Sequence, residues 1–295
     1  MKYVLAGASG FLGKALAREL GAQGHQVTRL VRRTPSAPDE LRWDPAAGDL
    51  DAASLGDPDV LVNLAGANIG RPWTPTYRLT LRESRVSTTS TLAAAAARLE
   101  HPPVVITQSG IGGYGLDRGD EILTEDSELG DGFLAEVVRL WEGALEPAQK
   151  AGSRVVALRT GVVLDRKAPA FQLLSLPFRI ALGGRLGPGT QYFPVVSLTD
   201  WIRTVQHAAE TDTVSGPVNV SLPTPTTNAD FTEALATALH RPAFLPVPAT
   251  LMKLTLGEFA WELLGSKRAL PTRLQSTNFT FHHPTATAAI SAALA

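Results

Sequence analysis

Apolar and polar positions follow an alternating rhythm of strands and helices over roughly the first 165 residues. Short, continuous apolar runs stand at 3–6, 59–67, 103–110 and 154–164, and QVTRLVRR forms another near Gly24. Stretches with helical periodicity separate them, including KALARELGAQG, SRVSTTSTLAAAAARLE and GDGFLAEVVRLWE. Strands that are apolar on both faces and alternate with helices are typical of a parallel sheet covered by helices. The pattern therefore predicts an α/β, Rossmann-like, doubly wound parallel sheet.

The rhythm changes after Leu164, and this change predicts a second, smaller α+β lobe. Glycine and proline become frequent in LGGRLGPGTQYF, and two apolar helices precede a short tail. We assign residues 1–165 to the larger domain, with 194–215 returning to it. Residues 166–193 and 216–295 are assigned to the smaller C-terminal lobe.

Three glycines between the first strand and the first helix form the pattern G-x-x-G-x-x-G, at Gly7, Gly10 and Gly13. The first allows a tight turn, the second lets the backbone approach a pyrophosphate, and the third lets the helix pack close to the strand. Phosphate oxygens then meet the free N–H groups at the start of the helix. Dinucleotide binding is favoured over a merely structural turn because a strand and a helix flank the loop.

The end of the second strand distinguishes between the two nicotinamide cofactors. An acidic residue there would bind the ribose 2′-hydroxyl of NAD, whereas this strand ends in Arg32 and Arg33. A guanidinium matches the oxygens of a 2′-phosphate, so NADP(H) is preferred over NAD(H). Two solvated surface arginines are the alternative interpretation.

Composition narrows the classes of function. The 295 residues carry a net charge of −1 without a basic block, which argues against nucleic acid or an anionic membrane as a partner. No cysteine is present, and the six histidines lack the spacing of metal ligands, so we expect no metal. MKYVLAGASG enters the glycine loop too early for a signal peptide, and no apolar run reaches the length of a membrane span, so the expected location is the cytoplasm.

The segments GASGFLG, NLAGA and QSGIGGYG, in this order, resemble an extended short-chain dehydrogenase/reductase. WDPAAGDLD, ESRV, FLAEVVRLWE, RTGVVLD and GSKRALPTRL extend the likeness over nearly the whole chain. They resemble a subgroup of nucleoside-diphosphate-sugar epimerase-like proteins, also called the cell-division-inhibitor-like or 39U group, with its own C-terminal domain.

Most of what this resemblance implies concerns the cofactor. The pyrophosphate would lie against Gly7, Ser9, Gly10, Phe11, Leu12 and Gly13. Arg32 would meet the 2′-phosphate, and Arg85 would reach the cofactor from the helix after the third strong strand. The adenosine side would be lined by Leu64, Ala65 and Gly66.

The usual catalytic pair of the superfamily, Tyr-x-x-x-Lys, is absent. The residues four positions after the four tyrosines are Gly7, Leu81, Arg118 and Val196. The resemblance implies that this absence is common in the subgroup, where FLAEV stands at the corresponding place. Three residues remain as candidates for chemistry, each with a structural alternative: Ser109, Tyr114 and Glu136.

Ser109 could donate to a substrate carbonyl or only cap a turn, with Gly110 as the alternative register. Tyr114 could donate to a substrate oxygen or only pack over the cofactor. Glu136 could act as acid and base if a dry environment raised its pKa. For Glu142 we expect a surface role, in a cap or a pair with an arginine such as Arg139.

Two functions remain open at this stage. The first is an oxidoreductase or epimerase that uses NADP(H) on a small polar substrate, with a nucleotide sugar as one candidate. The second is an NADP(H)-binding sensor or scaffold without turnover. The sequence does not address the oligomeric state.

Overall fold

The computed structural model describes all 295 residues. The strands are β1 (Lys2–Ala6), β2 (Gln26–Val31), β3 (Glu40–Arg42), β4 (Val60–Asn63), β5 (Val104–Gly110), β6 (Ile122–Leu123), β7 (Val155–Thr160), β8 (Val162–Leu164), β9 (Val195–Ser197), β10 (Gly216–Val220) and β11 (Arg268–Ala269). The helices are α1 (Phe11–Ala22), α2 (Pro75–Ala96), α3 (Phe133–Gly143), α4 (Glu146–Lys150), α5 (Pro169–Arg179), α6 (Leu198–Glu210), α7 (Asn228–Leu239), α8 (Ala249–Leu256), α9 (Trp261–Leu264), α10 (Thr272–Ser276) and α11 (Ala286–Leu294).

Seven of the strands form one parallel sheet in the order β10-β7-β5-β4-β1-β2-β3. The chain adds strands on one side of β1 up to β3 and then crosses to β4 on the other side. The strand order reverses between β1 and β4, and such a switch point opens a crevice at the carboxyl ends of the strands. The predicted doubly wound α/β fold is confirmed.

Both faces of the sheet are covered because its strands are apolar on both sides. Leu5 and Val62 point into one core with Trp201 of α6, whereas Val4 and Leu61 point into the other core against α2. The alanine run of α2 is a buried helix face, as Ala93, Ala95 and Ala96 are each at most 1% exposed. These small side chains let α2 approach the sheet closely.

The smaller lobe has a core of its own. Phe171 of α5, Phe231 of α7 and Ile290 of α11 pack there with Phe193. β8 pairs with β9 beside this core, while α6 returns to the large sheet. The large sheet also takes residues 216–220 as its edge strand β10, although the sequence assigned them to the smaller lobe. A short strand after a glycine carries too little signal to show which sheet it joins.

Two contacts join the C-terminal lobe to the loop that follows β5. β11 pairs with β6, and the buried carboxylate of Glu125 accepts a hydrogen bond from the Arg273 N–H at 3.2 Å. The same carboxylate also accepts from the Asn219 N–H of β10, at 3.0 Å, and so links the lobe to the edge of the sheet. The Thr272 hydroxyl also donates to Glu125. These contacts hold the lobe over the carboxyl ends of β5 and β7. None of the helices combines the length and apolar character needed to cross a lipid bilayer.

Candidate functional site

The loop between β1 and α1 brings three backbone segments into direct contact. Gly7 has φ +80°, and a Cβ at this position would lie 2.6 Å from the carbonyl carbon of Leu64. A Cβ on Gly13 would lie 2.3 Å from the carbonyl oxygen of Gly7. Both neighbours are backbone atoms that cannot move aside. Glycine is therefore required at both positions for β1, α1 and the end of β4 to meet.

The start of α1 is open to a ligand. Gly10 is the N-cap residue and provides no side-chain cap, so the first N–H groups of the helix lack a protein acceptor at their front. A Cβ on Gly10 would meet only the Gly7 oxygen, at 3.3 Å. Ser9 and Gly10 are exposed, whereas Phe11 and Leu12 are half-buried against the two cores. This combination of helix dipole and free N–H groups suits a pyrophosphate.

The two arginines after β2 have different surroundings. Arg33 donates to both carboxylate oxygens of Glu40, at 2.8 and 2.6 Å. The Arg33 hydrogen bond, together with the Ser36 N–H, holds the pKa of Glu40 at about 2. Arg32 is exposed and makes neither a hydrogen bond nor an ion pair with another side chain. Of the two, only Arg32 has a guanidinium free to receive a phosphate.

The end of β4 is held in place by the buried side-chain amide of Asn63. Asn63 donates to the hydroxyls of Thr88 and Thr89, at 3.2 and 2.8 Å, and its oxygen accepts from the Ala65 N–H at 3.1 Å. Leu64, Ala65 and Gly66 follow directly, on the crevice side of the switch point. The side chain of Asn63 thus fixes the backbone from which Leu64, Ala65 and Gly66 continue.

Arg85 of α2 reaches the same segment. Its guanidinium donates to the carbonyl oxygens of Leu81 at 2.9 Å and of Ala67 at 3.2 Å, and it lies 5.2 Å from the centre of the Trp141 ring. Burial lowers the pKa of Arg85 to about 10. No carboxylate pairs with it, and its Nη1 lies 3.8 Å from the position of a Cβ on Gly66. Arg85 is therefore a cation without a carboxylate partner, held by two backbone carbonyl oxygens beside Gly66.

The hydroxyl of Ser109, at the end of β5, is tied to a buried ion pair. It donates to Oε1 of Glu142 at 2.8 Å. Arg159 of β7 donates to both oxygens of the same carboxylate, at 2.9 and 2.7 Å. Burial acts to lower the pKa of Arg159, but the hydrogen bonds and charge of Glu142 raise it overall. The expected surface pair with Arg139 is wrong, because Glu142 faces the sheet across the last turn of α3.

Tyr114 continues this network inward. The ring is fully buried, and its hydroxyl lies 2.7 Å from Oδ1 of Asn219 and 2.8 Å from the carbonyl oxygen of Thr124. Arg159 donates to the same hydroxyl at 3.1 Å. Burial raises the pKa of Tyr114, although the neighbouring guanidinium acts in the opposite direction. This geometry favours the structural alternative, in which Tyr114 joins β7, β10 and the loop after β5.

The first turns of α3 present apolar side chains to the glycine-rich loop after β5. A Cβ on Gly112 would lie 2.9 Å from Cδ1 of Leu134, and one on Gly113 would lie 2.6 Å from Cγ1 of Val138. The helix face that lies over the end of β5 is thus formed by Leu134 and Val138, four residues apart. Neither of these two side chains can donate or accept a proton.

Glu136, the candidate on the same helix, points elsewhere. Its side chain is 58% exposed, and the nearest cation is Arg82 at 3.9 Å. Phe133, at the start of α3, packs edge-on against Trp73 with ring centres 5.3 Å apart, and Trp73 packs in the same way against Phe259 at 5.6 Å. Ser109, Tyr114 and Glu136 therefore do not converge on one point.

The C-terminal lobe contributes a carboxylate that the sequence did not reveal. Oε2 of Glu262, on α9, lies 3.1 Å from the position of a Cβ on Gly112. Oε1 of Glu262 lies 3.5 Å from Nζ of Lys267, whose side chain is 3% exposed. Both residues are far from Gly112 along the chain, and neither belongs to a catalytic motif. The sequence itself offers no signal for this contact, because Glu262 and Lys267 stand among other polar residues of this segment.

Taken together, the carboxyl edge of the sheet offers an uncapped start of α1, the free guanidinium of Arg32, the Arg85 guanidinium without a carboxylate partner, and the second lobe packed beside them. These are the elements of a two-lobed, dinucleotide-binding protein of the Rossmann type. No cluster of three or more histidine, aspartate or glutamate side chains could hold a metal ion.

Comparison with known proteins identifies the family. Residues 3–132 match the NAD dependent epimerase/dehydratase family, and residues 247–293 match a domain of unknown function, DUF1731. An epimerase family protein of Mycobacterium leprae is 43% identical, over 97% of this chain and 94% of its own. The human epimerase family protein SDR39U1 is 36% identical, over 98% of each chain. The chain belongs to this epimerase family of short-chain dehydrogenase/reductases, as its motifs predicted.

Two solved structures share the whole fold. The crystal structure of human SDR39U1 (isoform 2) with NADPH superposes with a TM-score of 0.90 and 35% identity, covering 99% of this chain and 98% of that one. A nucleoside-diphosphate sugar epimerase from Corynebacterium glutamicum superposes with a TM-score of 0.84 and 37% identity. It covers all of this chain but 58% of its own length, so that protein carries further structure beside the shared fold.

Proposed function

We propose that this protein binds NADP(H) and acts as an oxidoreductase or epimerase on a small polar substrate, with a nucleotide sugar as one candidate. The observation that carries the proposal is the free guanidinium of Arg32 beside an uncapped start of α1. Arg33 is occupied by Glu40, so Arg32 alone supplies the positive charge that a 2′-phosphate needs. The structure of human SDR39U1 with NADPH supports the same choice of cofactor.

The residues of the crevice fit the cofactor in the following way. Gly10 and the N–H groups of α1 would hold the pyrophosphate, Arg32 the 2′-phosphate, and Leu64 to Gly66 the adenosine side. Arg85 would add a second positive charge close to Gly66. The bound cofactor supplies hydride transfer, and the protein must then orient the substrate and provide a route for one proton.

Titration calorimetry with NADPH and NADH tests the choice of cofactor. The wild type should bind NADPH more tightly, and Arg32→Gln should weaken NADPH about 10- to 100-fold, as expected for a lost charge-assisted contact, while NADH is unaffected. Arg18→Gln removes the same charge from an exposed position of α1 and is the control. Equal loss of both cofactors in Arg32→Gln would show that the residue supports the fold instead.

Turnover is tested separately. NADPH oxidation should be followed with a panel of carbonyl compounds, and NADP⁺ reduction with alcohols and sugar nucleotides, together with epimer analysis of the latter. Conversion of at least one compound in either assay supports the enzymatic function. The absence of conversion across the panel, with tight NADPH binding intact, would contradict it.

A non-catalytic NADP(H) sensor is the second candidate function. The observation in its favour is that the α3 residues packed against Gly112 and Gly113 are Leu134 and Val138, whose side chains can neither donate nor accept a proton. Ser109 adds to it, because its hydroxyl is engaged by Glu142. For a sensor, NADPH should change the accessibility of a surface, and hydrogen exchange with and without NADPH would locate that surface.

A further inference from the structure

The segment 257–267 of the C-terminal lobe carries a buried charge that the fold itself does not need. The ammonium of Lys267 is shielded from solvent and has no hydrogen-bond partner. Its one ion-pair partner is Glu262, with 3.5 Å between Nζ and Oε1. An ammonium held in this way is costly, and a buried ion pair seldom adds stability over apolar residues of the same size. Its presence therefore points to a role outside folding.

The backbone on either side of this pair is held firmly. The Ser266 N–H donates to Asp117 at 3.1 Å, and the Lys267 N–H donates to the carbonyl oxygen of Tyr192 at 3.2 Å. Gly265 lies so close to the loop after β5 that a Cβ there would come 1.7 Å from the carbonyl oxygen of Leu116. Glu262 is thus presented from a rigid turn, and its side chain is 19% exposed.

The position of Glu262 relative to the cofactor follows from the order of the strands. The 2′-phosphate end is assigned to Arg32 at β2, and the pyrophosphate to α1 after β1. The remaining end of an extended dinucleotide must then lie on the far side of the switch point, over β4 and β5. Gly112 stands two residues after the end of β5, and Oε2 of Glu262 lies 3.1 Å from the position that a Cβ on Gly112 would take.

We propose that Glu262 is the catalytic carboxylate at the nicotinamide end of the crevice and that Lys267 is its positioning residue. The proposal rests on the proposed function. In the oxidation direction, the O–H bond of a substrate alcohol breaks and its proton passes to the Glu262 carboxylate. The C–H bond of the same carbon breaks with its electron pair, as the hydride that the bound cofactor accepts, and a carbonyl compound remains. Reduction runs through the same atoms in reverse.

A binding measurement tests the placement without any substrate. NADP⁺ carries a positive charge on its nicotinamide ring and NADPH does not, so a nearby carboxylate favours NADP⁺. Glu262→Gln should raise the ratio Kd(NADP⁺)/Kd(NADPH) about three- to tenfold. Lys267→Met removes the compensating cation and should lower the ratio, and Lys267→Arg should restore it. A merely structural disturbance would weaken both forms together and would not produce shifts of opposite sign.

The exposed pair Glu146 and Lys150 of α4, with 2.7 Å between charged atoms, provides matched controls. Glu146→Gln and Lys150→Met should leave the ratio unchanged. If Lys267→Met does not fold, the charge-balanced double variant Glu262→Gln/Lys267→Met replaces it, with a ratio between those of the wild type and Glu262→Gln. An unchanged ratio in Glu262→Gln would overturn the placement even though the cofactor binds.

A kinetic measurement tests the proton transfer. With any carbonyl probe of the panel that the wild type reduces, Glu262→Gln should lower kcat at least about 100-fold, within the range of general acid–base catalysis, with little change in KM. An unaffected kcat would overturn the role of Glu262. No turnover in the wild type would overturn it too, in favour of the sensor, whereas failure of the wild type to bind either cofactor form would remove the proposed function itself.

Discussion

Two glycine-rich loops lie at the carboxyl edge of the sheet, after β1 and after β5 with β4 between these strands, and their glycines are needed for different reasons. In the loop after β1, Gly7 and Gly13 let backbone meet backbone, while the space in front of Gly10 stays open. In the loop after β5, the space that side chains at Gly112 and Gly113 would need is already filled by Leu134 and Val138. A pattern of glycines therefore indicates close approach, but the approaching group differs: backbone in the first loop and side chains of α3 in the second.

The two loops also differ in the ion pair beside them. Arg33 and Glu40, next to the first loop, form a pair in which the arginine is 57% exposed. Arg159 and Glu142, beneath the second, form a pair with side chains 6% and 16% exposed. The first pair joins an exposed arginine to a glutamate whose side chain is 4% exposed, whereas both side chains of the second pair are largely buried.

The largest effect on stability and on cofactor binding is expected when Gly13, beside the first loop, is replaced by alanine. Gly13→Ala places its Cβ against the Gly7 carbonyl oxygen, which cannot yield without moving β1. We expect a loss of about 3 kcal/mol or more in the free energy of unfolding, and no measurable NADPH binding. Gly21→Ala, in the same helix with nothing within 4 Å, should be neutral or slightly stabilising. Urea unfolding and calorimetry compare the two; NADPH binding retained in Gly13→Ala would refute the close-contact argument.

The buried ion pair should respond almost as strongly. Glu142→Gln leaves the Arg159 guanidinium without a counter-charge inside the protein, at a cost of about 3–5 kcal/mol. NADPH affinity should change little, since neither residue faces the first loop. Equilibrium unfolding measures the cost, and Glu146→Gln on the exposed face of α4 is the control. A change below about 1 kcal/mol would mean that the pair is solvated in solution.

The second loop should show a smaller loss that a compensating change can reverse. Gly113→Ala overpacks against Val138 and should cost about 1–3 kcal/mol, with NADPH binding retained. Because the obstacle is a side chain, Val138→Ala in the same molecule should recover at least part of the loss. Purely additive effects in this double-mutant cycle would indicate that the backbone, as in the first loop, is the obstacle.

The smallest effect is expected on the stability of the fold at acidic pH. The pKa of Glu40 is about 2 in the folded protein, below its ordinary value of 4.5. A lowered folded pKa contributes stability that is present above the ordinary value and is lost as the pH falls from about 4.5 toward 2. Urea midpoints of the wild type should fall in this window, and Glu40→Gln should make the curve flatter there. A parallel curve for the variant would assign the acid sensitivity to other carboxylates.

Much of the fold follows from local patterns. The apolar strands, the glycine pattern and the return of α6 to the sheet all stand in the sequence, because burial on both faces leaves a continuous apolar run. The start of α2 does not, since the helix begins at Pro75 with Thr74 as its cap, well before the predicted periodic stretch. Its first turns lie at the rim of the cleft, where the apolar periodicity is weak.

The candidate site also has one part that local sequence patterns predict and one part that they do not. The residues proposed for the cofactor each stand near the carboxyl end of an apolar strand that the sequence shows, so Gly7, Arg32 and Gly66 could be proposed from local patterns. The substrate side depends on contacts between distant segments. The burial of Tyr114, the partnership of Glu142 with Arg159 and the approach of Glu262 to Gly112 each depend on how the second lobe or a distant strand folds back. No local spacing encodes these contacts.

The joint at Glu125 has a consequence for synthesis of the chain on the ribosome. Its carboxylate receives Asn219, Thr272 and Arg273, all of which emerge long after it. The sheet up to β5 can therefore form while the chain is still being synthesised. The Glu125 carboxylate has its full set of hydrogen-bond donors only after Thr272 and Arg273 have been made. Contacts between residues so distant in sequence form slowly. Until they form, the surface around Glu125 that the C-terminal lobe will cover stays exposed and can aggregate. A nascent chain truncated before residue 266 should bind a chaperone, and should lose that chaperone once α10 has been made.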